Sequence, residues 1–338
     1  MEAESIGYSA GGPKGYLARW IILAFTLILS GCEQNNPVDF VALNGGDAFL
    51  MVHFKGDGSS GLFLAYSLNG YEWVALNDEK SILEPLVGSK LMRDPSVLRT
   101  ADGIYHLVWT TGWRDRGIGY ASSKDLINWS EQIFLPVVVH EQNAKNAWAP
   151  SLVYDDLENE FLILWSTTIP GRFADTDQVN GDDEIWNHRL YSARTSDFTE
   201  LSETRLFFDP GYSVIDGCVT RIDEAFVLLF KDEREDPPEK NIRIGFGETI
   251  EGPYEVTARA ITGPDYWAEG PALARVDDGW IVYFDKYREL KFGAVFSKDM
   301  ISWSDISESV SFPAGVRHGG VIEVTRETVN SLLAWSAQ

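Results

Sequence analysis

Residues 103–110 read GIYHLVWT, and after a loop residues 119–131 read GYASSKDLINWSE. The first stretch is a dense apolar run opened by glycine; the second ends in a Ser-Xaa-Asp-type turn followed by tryptophan. Neither has a helical period, and both are bounded by turn residues, so both read as strands. The pair recurs along the chain. The apolar run returns at 47–54 (DAFLMVHF), 160–167 (EFLILWST), 224–231 (EAFVLLFK) and 279–285 (GWIVYFD). Its partner returns at 62–75 (LFLAYSLNGYEWVA), 190–203 (LYSARTSDFTELSE) and 292–305 (FGAVFSKDMISWSD), and most loosely at 243–256 (RIGFGETIEGPYEV). Five units of about four short strands each predict an all-β chain folded as a five-bladed β-propeller. A twisted sandwich is the alternative.

The first unit has its later strands but no obvious innermost one, and the last unit is followed by RHGGVIEVT at 317–325. Joining the two ends completes one blade and removes a sheet edge, so the ring is expected to close across the termini. The innermost strand of a blade starts near the central channel. The five starts are Arg93-Asp94-Pro95, Ala149-Pro150-Ser151, Ile215-Asp216-Gly217, Glu269-Gly270-Pro271 and Arg317-His318-Gly319. Three place a carboxylate at a comparable phase and a fourth supplies a histidine. Carboxylates converging in a confined site push one another's pKa values apart, as an acid/base pair requires.

The 338 residues are 44% apolar and 13% aromatic, enough for a large core and against a mostly disordered chain. Arg and Lys total 28 against 51 Asp and Glu, a formal charge of −23, which disfavours nucleic acid and anionic membrane surfaces as partners. Two cysteines make no disulfide scaffold.

Residues 20–29 form an apolar run that is too short to span a bilayer, which needs roughly 17–25 residues, but suits a signal peptide. It ends in Leu29-Ser30-Gly31-Cys32, which resembles a bacterial lipobox and implies cleavage before Cys32 and lipidation of its thiol. The expected organisation is a signal peptide at 1–31, a tether at 32–38 and a propeller at 39–338. The expected location is a bacterial membrane, periplasmic face or cell surface, held only by the lipid.

The ordered set RDPSVLR (93–99), DGIYHLVWT (102–110), WAPSLVYDD (148–156), VIDGCVT (214–220), WAEGPAL (267–273) and RHGG (317–320) resembles glycoside hydrolase family 43 over nearly the whole chain after residue 39. The resemblance implies a five-bladed propeller that hydrolyses glycosidic bonds, mostly of arabinofuranosides and xylosides, with inversion. By motif it makes Asp94 the general base, Glu269 the general acid and Asp216 the residue that tunes and orients the acid. It implies that His318 supports the site through water or a bound cation, which leaves a channel calcium ion open while no cofactor is required. Ser151, Gly217 and Gly320 depart from the family's usual neighbours.

Inversion needs an acid on one face of the sugar and a water-activating carboxylate on the other, roughly 6.5–9.5 Å apart, which residues on facing blades can supply. Trp73, Trp129 and Trp303 share one repeat phase and read as structural; Trp109, Trp165 and Trp280 read as packing between blades. Trp113, Trp148, Trp186 and Trp267 have no such counterparts and are candidates for stacking against sugar. Arg93 and Arg317 flank the carboxylates, either binding sugar hydroxyls or neutralising the cluster. Asn187 and His188 are candidate substrate contacts at a blade edge. The loop 175–184 reads as acidic and solvated, with its glycine out of place for a calcium loop. The five histidines have no spacing for a zinc site. Cys218 reads as a small buried residue.

Three readings follow: an inverting glycosidase releasing terminal α-L-arabinofuranosyl or related pentosyl and furanosyl residues from polysaccharides or oligosaccharides; a lipid-anchored carbohydrate-binding propeller without catalysis; and a retaining fructan-active propeller, disfavoured because residues 38–50 lack an Asn-Asp-Pro-type nucleophile motif.

Overall fold

The computed structural model describes residues 47–177 and 184–337. The expected signal peptide, tether and Cys32, and most of the acidic loop, lie outside the described residues. The strands run in chain order as β1 (Ala48–His53), β2 (Phe63–Ser67), β3 (Trp73–Ala75), β4 (Arg93–Arg99), β5 (Tyr105–Thr110), β6 (Ile118–Ser123) and β7 (Ile133–Leu135). They continue as β8 (Trp148–Asp155), β9 (Glu160–Thr168), β10 (His188–Thr195), β11 (Arg205–Phe208), β12 (Val214–Ile222), β13 (Ala225–Asp232), β14 (Asn241–Gly247) and β15 (Glu255–Val256). The last are β16 (Glu269–Val276), β17 (Gly279–Lys286), β18 (Lys291–Ser297), β19 (Ser304–Asp305) and β20 (Gly319–Val324), before helix α1 (Arg326–Ser336).

These form five four-stranded antiparallel sheets: β20-β1-β2-β3 (blade I), β4 to β7 (II), β8 to β11 (III), β12 to β15 (IV) and β16 to β19 (V). The innermost strands β4, β8, β12, β16 and β20 neighbour one another in a closed cycle. The chain is a five-bladed β-propeller. β20 pairs antiparallel with β1, from Ala48 opposite Val324 to His53 opposite Gly319, so the C-terminal strand is the innermost strand of the N-terminal blade. The expected closure across the termini is observed, and no sandwich forms.

The blades hold together because the inner strands, β1, β5 and β9 above all, bury side chains on both faces, against the blade before and the blade after. The core accordingly falls into five clusters, one in each gap. Leu107 and Trp109 of blade II pack with Leu50 and Leu64 of blade I, for example, and Val108 packs with Ile163 and Trp165 of blade III. Gly119 leaves room for Trp109, since a Cβ there would lie 2.0 Å from its ring.

The repeated turn has one local cause. In blade II, Ser123 Oγ accepts from the backbone N–H of Asp125 and Leu126, and Asp125 Oδ1 accepts from Ile127 and Asn128. Ser67/Asn69, Thr195/Asp197 and Ser297/Asp299 build the same turn in blades I, III and V. Such side chains satisfy turn amides that no strand partner reaches. Trp129 and Trp303 finish it by donating to Leu126 and Met300 carbonyls. The looser blade IV copy lacks the Ser-Xaa-Asp pair.

Among the described residues one α-helix, beside three single-turn 3-10 helices, departs from the all-strand expectation. Thr325 caps α1 by accepting from Thr328 N–H at 3.2 Å, and Val329 and Leu332 bury their side chains in the cluster between blades I and II. A single helix with two buried positions gives too short a period to stand out in the sequence.

Candidate active site

The site begins with a backbone irregularity repeated in four blades. The ladder between first and second strand breaks from Arg93 to Ser96, Trp148 to Ser151, Ile215 to Cys218 and Glu269 to Ala272. Each break holds a left-handed residue: Asp94 (φ 50°), Ala149 (46°), Asp216 (56°) and Gly270 (63°). Bulges re-aim side chains, and non-glycine residues in this region are costly enough to cluster at functional sites. The alignment corrects one expectation. Glu269 shares its place with Arg93, Trp148 and Ile215, one residue ahead of the place occupied by Asp94 and Asp216. The three carboxylates therefore do not share one phase.

The second strands contribute at the same level. Thr110, Ser166, Lys231 and Asp285 stand opposite Arg93, Trp148, Ile215 and Glu269, and all four are buried. Each reaches the next blade. Thr110 Oγ1 accepts from Ala149 N–H at 2.8 Å, Ser166 Oγ accepts from Asp216 N–H at 3.1 Å, and Lys231 Nζ donates to Glu269 Oε2 at 3.0 Å. Asp285 Oδ2 accepts from Arg317 Nε at 2.6 Å and from His318 N–H at 3.3 Å. A band of polar contacts thus links blade to blade around the channel.

Within this band His318 gathers two of the carboxylates. Its Nδ1 lies 3.3 Å from Asp94 Oδ1 and 4.0 Å from Asp216 Oδ2. Thr110 donates to Asp94 Oδ2 at 2.9 Å, and Gly270 N–H donates to Asp216 Oδ2 at 2.9 Å. Gly270 is required here: a Cβ would sit 2.2 Å from His318 Cγ. Burial works against ionising Asp94, but the hydrogen bond and charge of His318, with Arg93 and Thr110, hold it below the usual carboxylate range. Burial, with repulsion from Glu269 and Asp94, lifts Asp216 to about 7 despite His318. Burial opposes a charge on His318, yet Asp216, Asp94 and Glu269 raise it to about 9.

That result bears on the channel cation. A protonated imidazole has no lone pair for a metal. Among the described residues no group of three or more His, Cys, Asp or Glu side chains is spaced to hold one. In this structure the charge between Asp94 and Asp216 is the one that His318 itself carries.

Glu269 meets Lys231 on one oxygen, and Arg317 Nη2 stands 4.0 Å from the other. Arg317 is anchored by Asp285, which burial and Glu269 raise to about 6 against Arg317 itself. Arg317 therefore bridges two carboxylates of the cluster, in line with the neutralising reading. Arg93 instead lies over the rings of Trp113 (4.2 Å) and Phe54 (4.7 Å).

The tryptophans divide into two groups. Trp113, 52% exposed, meets Trp148 edge-on at 5.7 Å, and Trp148 packs on Trp186 at 4.8 Å and on His188 at 5.1 Å. Trp148 Nε1 also donates to Trp113 O, and Asp115, accepting from Ser89 and Thr111, pins the Trp113 turn. Trp267 stands apart, with Tyr287 at 6.1 Å and the Arg288 guanidinium 3.5 Å from its ring. Asn187 is a correction. Its amide donates to Phe173 O, Thr176 and Asp177, and its oxygen accepts from Arg189, so it is buried in holding residues 173–177. His188 is buried beneath Trp186, stacked at 5.4 Å; burial lowers it to about 3, so the ring is neutral.

The motifs did not point to Lys231, Asp285 or Thr110, yet each ends one of the apolar runs quoted above. A polar residue closing a buried strand at the channel end was the available signal.

The fold is a five-bladed propeller that draws Asp94 and Asp216 from two blades to His318 and sets Glu269 of a third blade beside Lys231 and Arg317. The family model described as "Probable glycosyl hydrolase domain", related to glycosyl hydrolase family 43, matches residues 44–330, and the chain belongs to that family. It is similar to an α-L-arabinofuranosidase of Bifidobacterium longum subsp. longum, 23% identical over 335 residues that cover 77% of this chain and 31% of the relative. The chain thus spans about a third of that relative's length. Among solved structures it is similar to an endo-1,4-β-xylanase from Bacteroides thetaiotaomicron (TM-score 0.52, 12% identity, covering 81% of this chain and 93% of that one). It also resembles an α-L-arabinofuranosidase from Lactobacillus brevis (TM-score 0.49, 16% identity, 64% and 72% covered). At 12% identity the likeness to the first of these structures speaks for the fold alone.

Proposed function

We propose that the protein is an inverting glycosidase that removes terminal α-L-arabinofuranosyl or related pentosyl or furanosyl residues from polysaccharides or oligosaccharides. Asp94 is the general base. The observation that carries the reading is that His318 Nδ1 lies 3.3 Å from one Asp94 oxygen and Thr110 donates to the other at 2.9 Å, contacts that favour the ionised form a base needs to take a proton from water. Glu269 is the general acid, protonating the leaving oxygen from blade V while Asp94 works from blade II. Asp216, raised to about 7 beside both, tunes the proton distribution of the channel. Trp113 and Trp148 form the stacking platform for a sugar, with Arg93 at its edge. We propose further that Cys32 carries the lipid that holds the enzyme at a membrane.

A binding-only propeller has one observation in its favour: the Lys231 ammonium donates to Glu269 Oε2 at 3.0 Å, so that oxygen is already engaged within the protein. A panel of nitrophenyl glycosides separates the readings. Hydrolysis with an inverted first product, seen by NMR, supports the enzyme. Asp94→Asn then loses turnover on every substrate, whereas Glu269→Gln retains it on those with very good leaving groups. Retained configuration refutes the inverting assignment, and no hydrolysis across the panel favours the binding module.

A further inference from the structure

Lys231 lies at the end of β13 with 2% of its side chain exposed. A buried ammonium needs a reason, because lysine side chains are almost never fully buried unless paired. Its Nζ is 2.6 Å from Glu233 Oε1, 3.0 Å from Glu269 Oε2 and 4.3 Å from the centre of the Tyr287 ring. Glu233 is shared in turn: Lys240 contacts its other oxygen and also pairs with Glu235 at 2.6 Å. The 233–240 segment is itself fastened from below. Asp232, fully buried, accepts from Arg234 and from Arg243, and Arg243 also holds Glu239.

We propose that Lys231 is a positioning residue: its ammonium, shared between Glu269 and Glu233, fixes the candidate acid in one orientation and sets the pH at which the site gives up its working proton. The inference rests on the glycosidase reading and deepens it.

The argument is one of charge. Glu233 and Glu235 match Lys231 and Lys240, so with Glu269 ionised the cluster carries one surplus negative charge. A proton on Glu269 removes that surplus. Without Glu233, the Lys231 charge would fall on Glu269 alone. Burial opposes charge on both Lys231 and Glu233, yet Lys231 is lifted well above its usual range by Glu233 and Glu269, and Glu233 is held at about 2 by Lys231 and Lys240. The Lys231–Glu233 pair therefore stays charged throughout the working range and presents a fixed positive end to Glu269. Other groups facing Lys231 are Asp216 from β12, Tyr287 from the turn after β17 and neutral His188 from β10. Glu269 also faces Arg317, Asp285 and His318.

The test is a pair of substitutions with opposite signs. Profiles of kcat/KM against pH are recorded on the best aryl glycoside of the panel for wild type, Lys231→Met, Lys231→Arg and Glu233→Gln. The basic limb reports loss of the donated proton. Lys231→Met moves it to higher pH and Glu233→Gln to lower pH, each by about one unit, the size of effect of an opposite charge within hydrogen-bonding reach. Lys231→Arg leaves the limb near its wild-type place. A purely structural lysine would lower the rate at all pH values without moving the limb, and that result, or shifts in the same direction, overturns the proposal. If Lys231→Met does not fold, Lys231→Gln takes its place. Carbon-13 NMR of glutamate-labelled protein, with Glu269 assigned by Glu269→Gln, reads the same opposed movements without turnover. Absence of hydrolysis by the wild type counts against the glycosidase reading, whereas an unmoved Glu269 resonance in both variants overturns the role of Lys231 itself.

Discussion

His318→Asn keeps a side-chain donor near the position of Nδ1 and removes the positive charge between Asp94 and Asp216. In the folded protein burial opposes that charge, but Asp216, Asp94 and Glu269 overcome it and raise the histidine from 6.5 to about 9. The difference corresponds to on the order of 3 kcal/mol of favourable coupling, since each pKa unit is about 1.4 kcal/mol. Because the folded value is raised, the coupling is fully present below pH 6.5, where the unfolded histidine is also protonated. It is lost as the pH climbs through about 9. Urea denaturation of wild type and variant at pH 6 and pH 9.5 should therefore show a large stability gap at the lower pH and a small one at the higher. The acid limb of the rate profile should move to higher pH by about one unit, because Asp94 loses the neighbouring positive charge that favours its ionised form. A stability gap that is constant with pH, or that widens in alkali, would show that the ring serves packing alone.

Gly270→Ala should destabilise by roughly 2–4 kcal/mol in urea melts, combining a left-handed alanine with a Cβ 2.2 Å from His318 Cγ, and should move the acid limb in the same direction as His318→Asn. Trp148→Ala should raise KM roughly fivefold with little change in kcat if the ring stacks on bound sugar, about 1 kcal/mol of uniform binding; a fall in kcat alone refutes that role. Cys32→Ala should release the protein from the membrane fraction with its melting temperature unchanged, and a wild type found wholly in the soluble fraction refutes the anchor.

The blade count, blade order and closure were legible because they depend on local chemistry repeated five times. A Ser-Xaa-Asp turn is satisfied within a few residues, and a run such as EFLILWST has the same meaning wherever it sits. The carboxylates were legible as motifs because each starts a strand. Their relative phase was not: Glu269 and Asp216 look equivalent in sequence, and only the bulge shows that Glu269 aligns with Ile215. Lys231 was harder still, since its meaning lies in Glu269, 38 residues on and in another blade. Asn187 misled for the opposite reason. An exposed-looking polar pair at a strand start is a fair candidate for a ligand contact, but its partners were the loop just behind it.

The pairing of β20 with β1 has a consequence for when the protein becomes active. Asp94 sits near the beginning of the ring, yet the histidine 3.3 Å from it, and the arginine beside Glu269, directly precede the last strand to be made. Four blades can fold in succession as the chain lengthens, and throughout that time Asp94 lacks its partner. The site comes into being in one step, when the final strand docks against the first. A chain stopped short of residue 317 therefore holds Asp94, Asp216 and Glu269 without the histidine and arginine that stand between them.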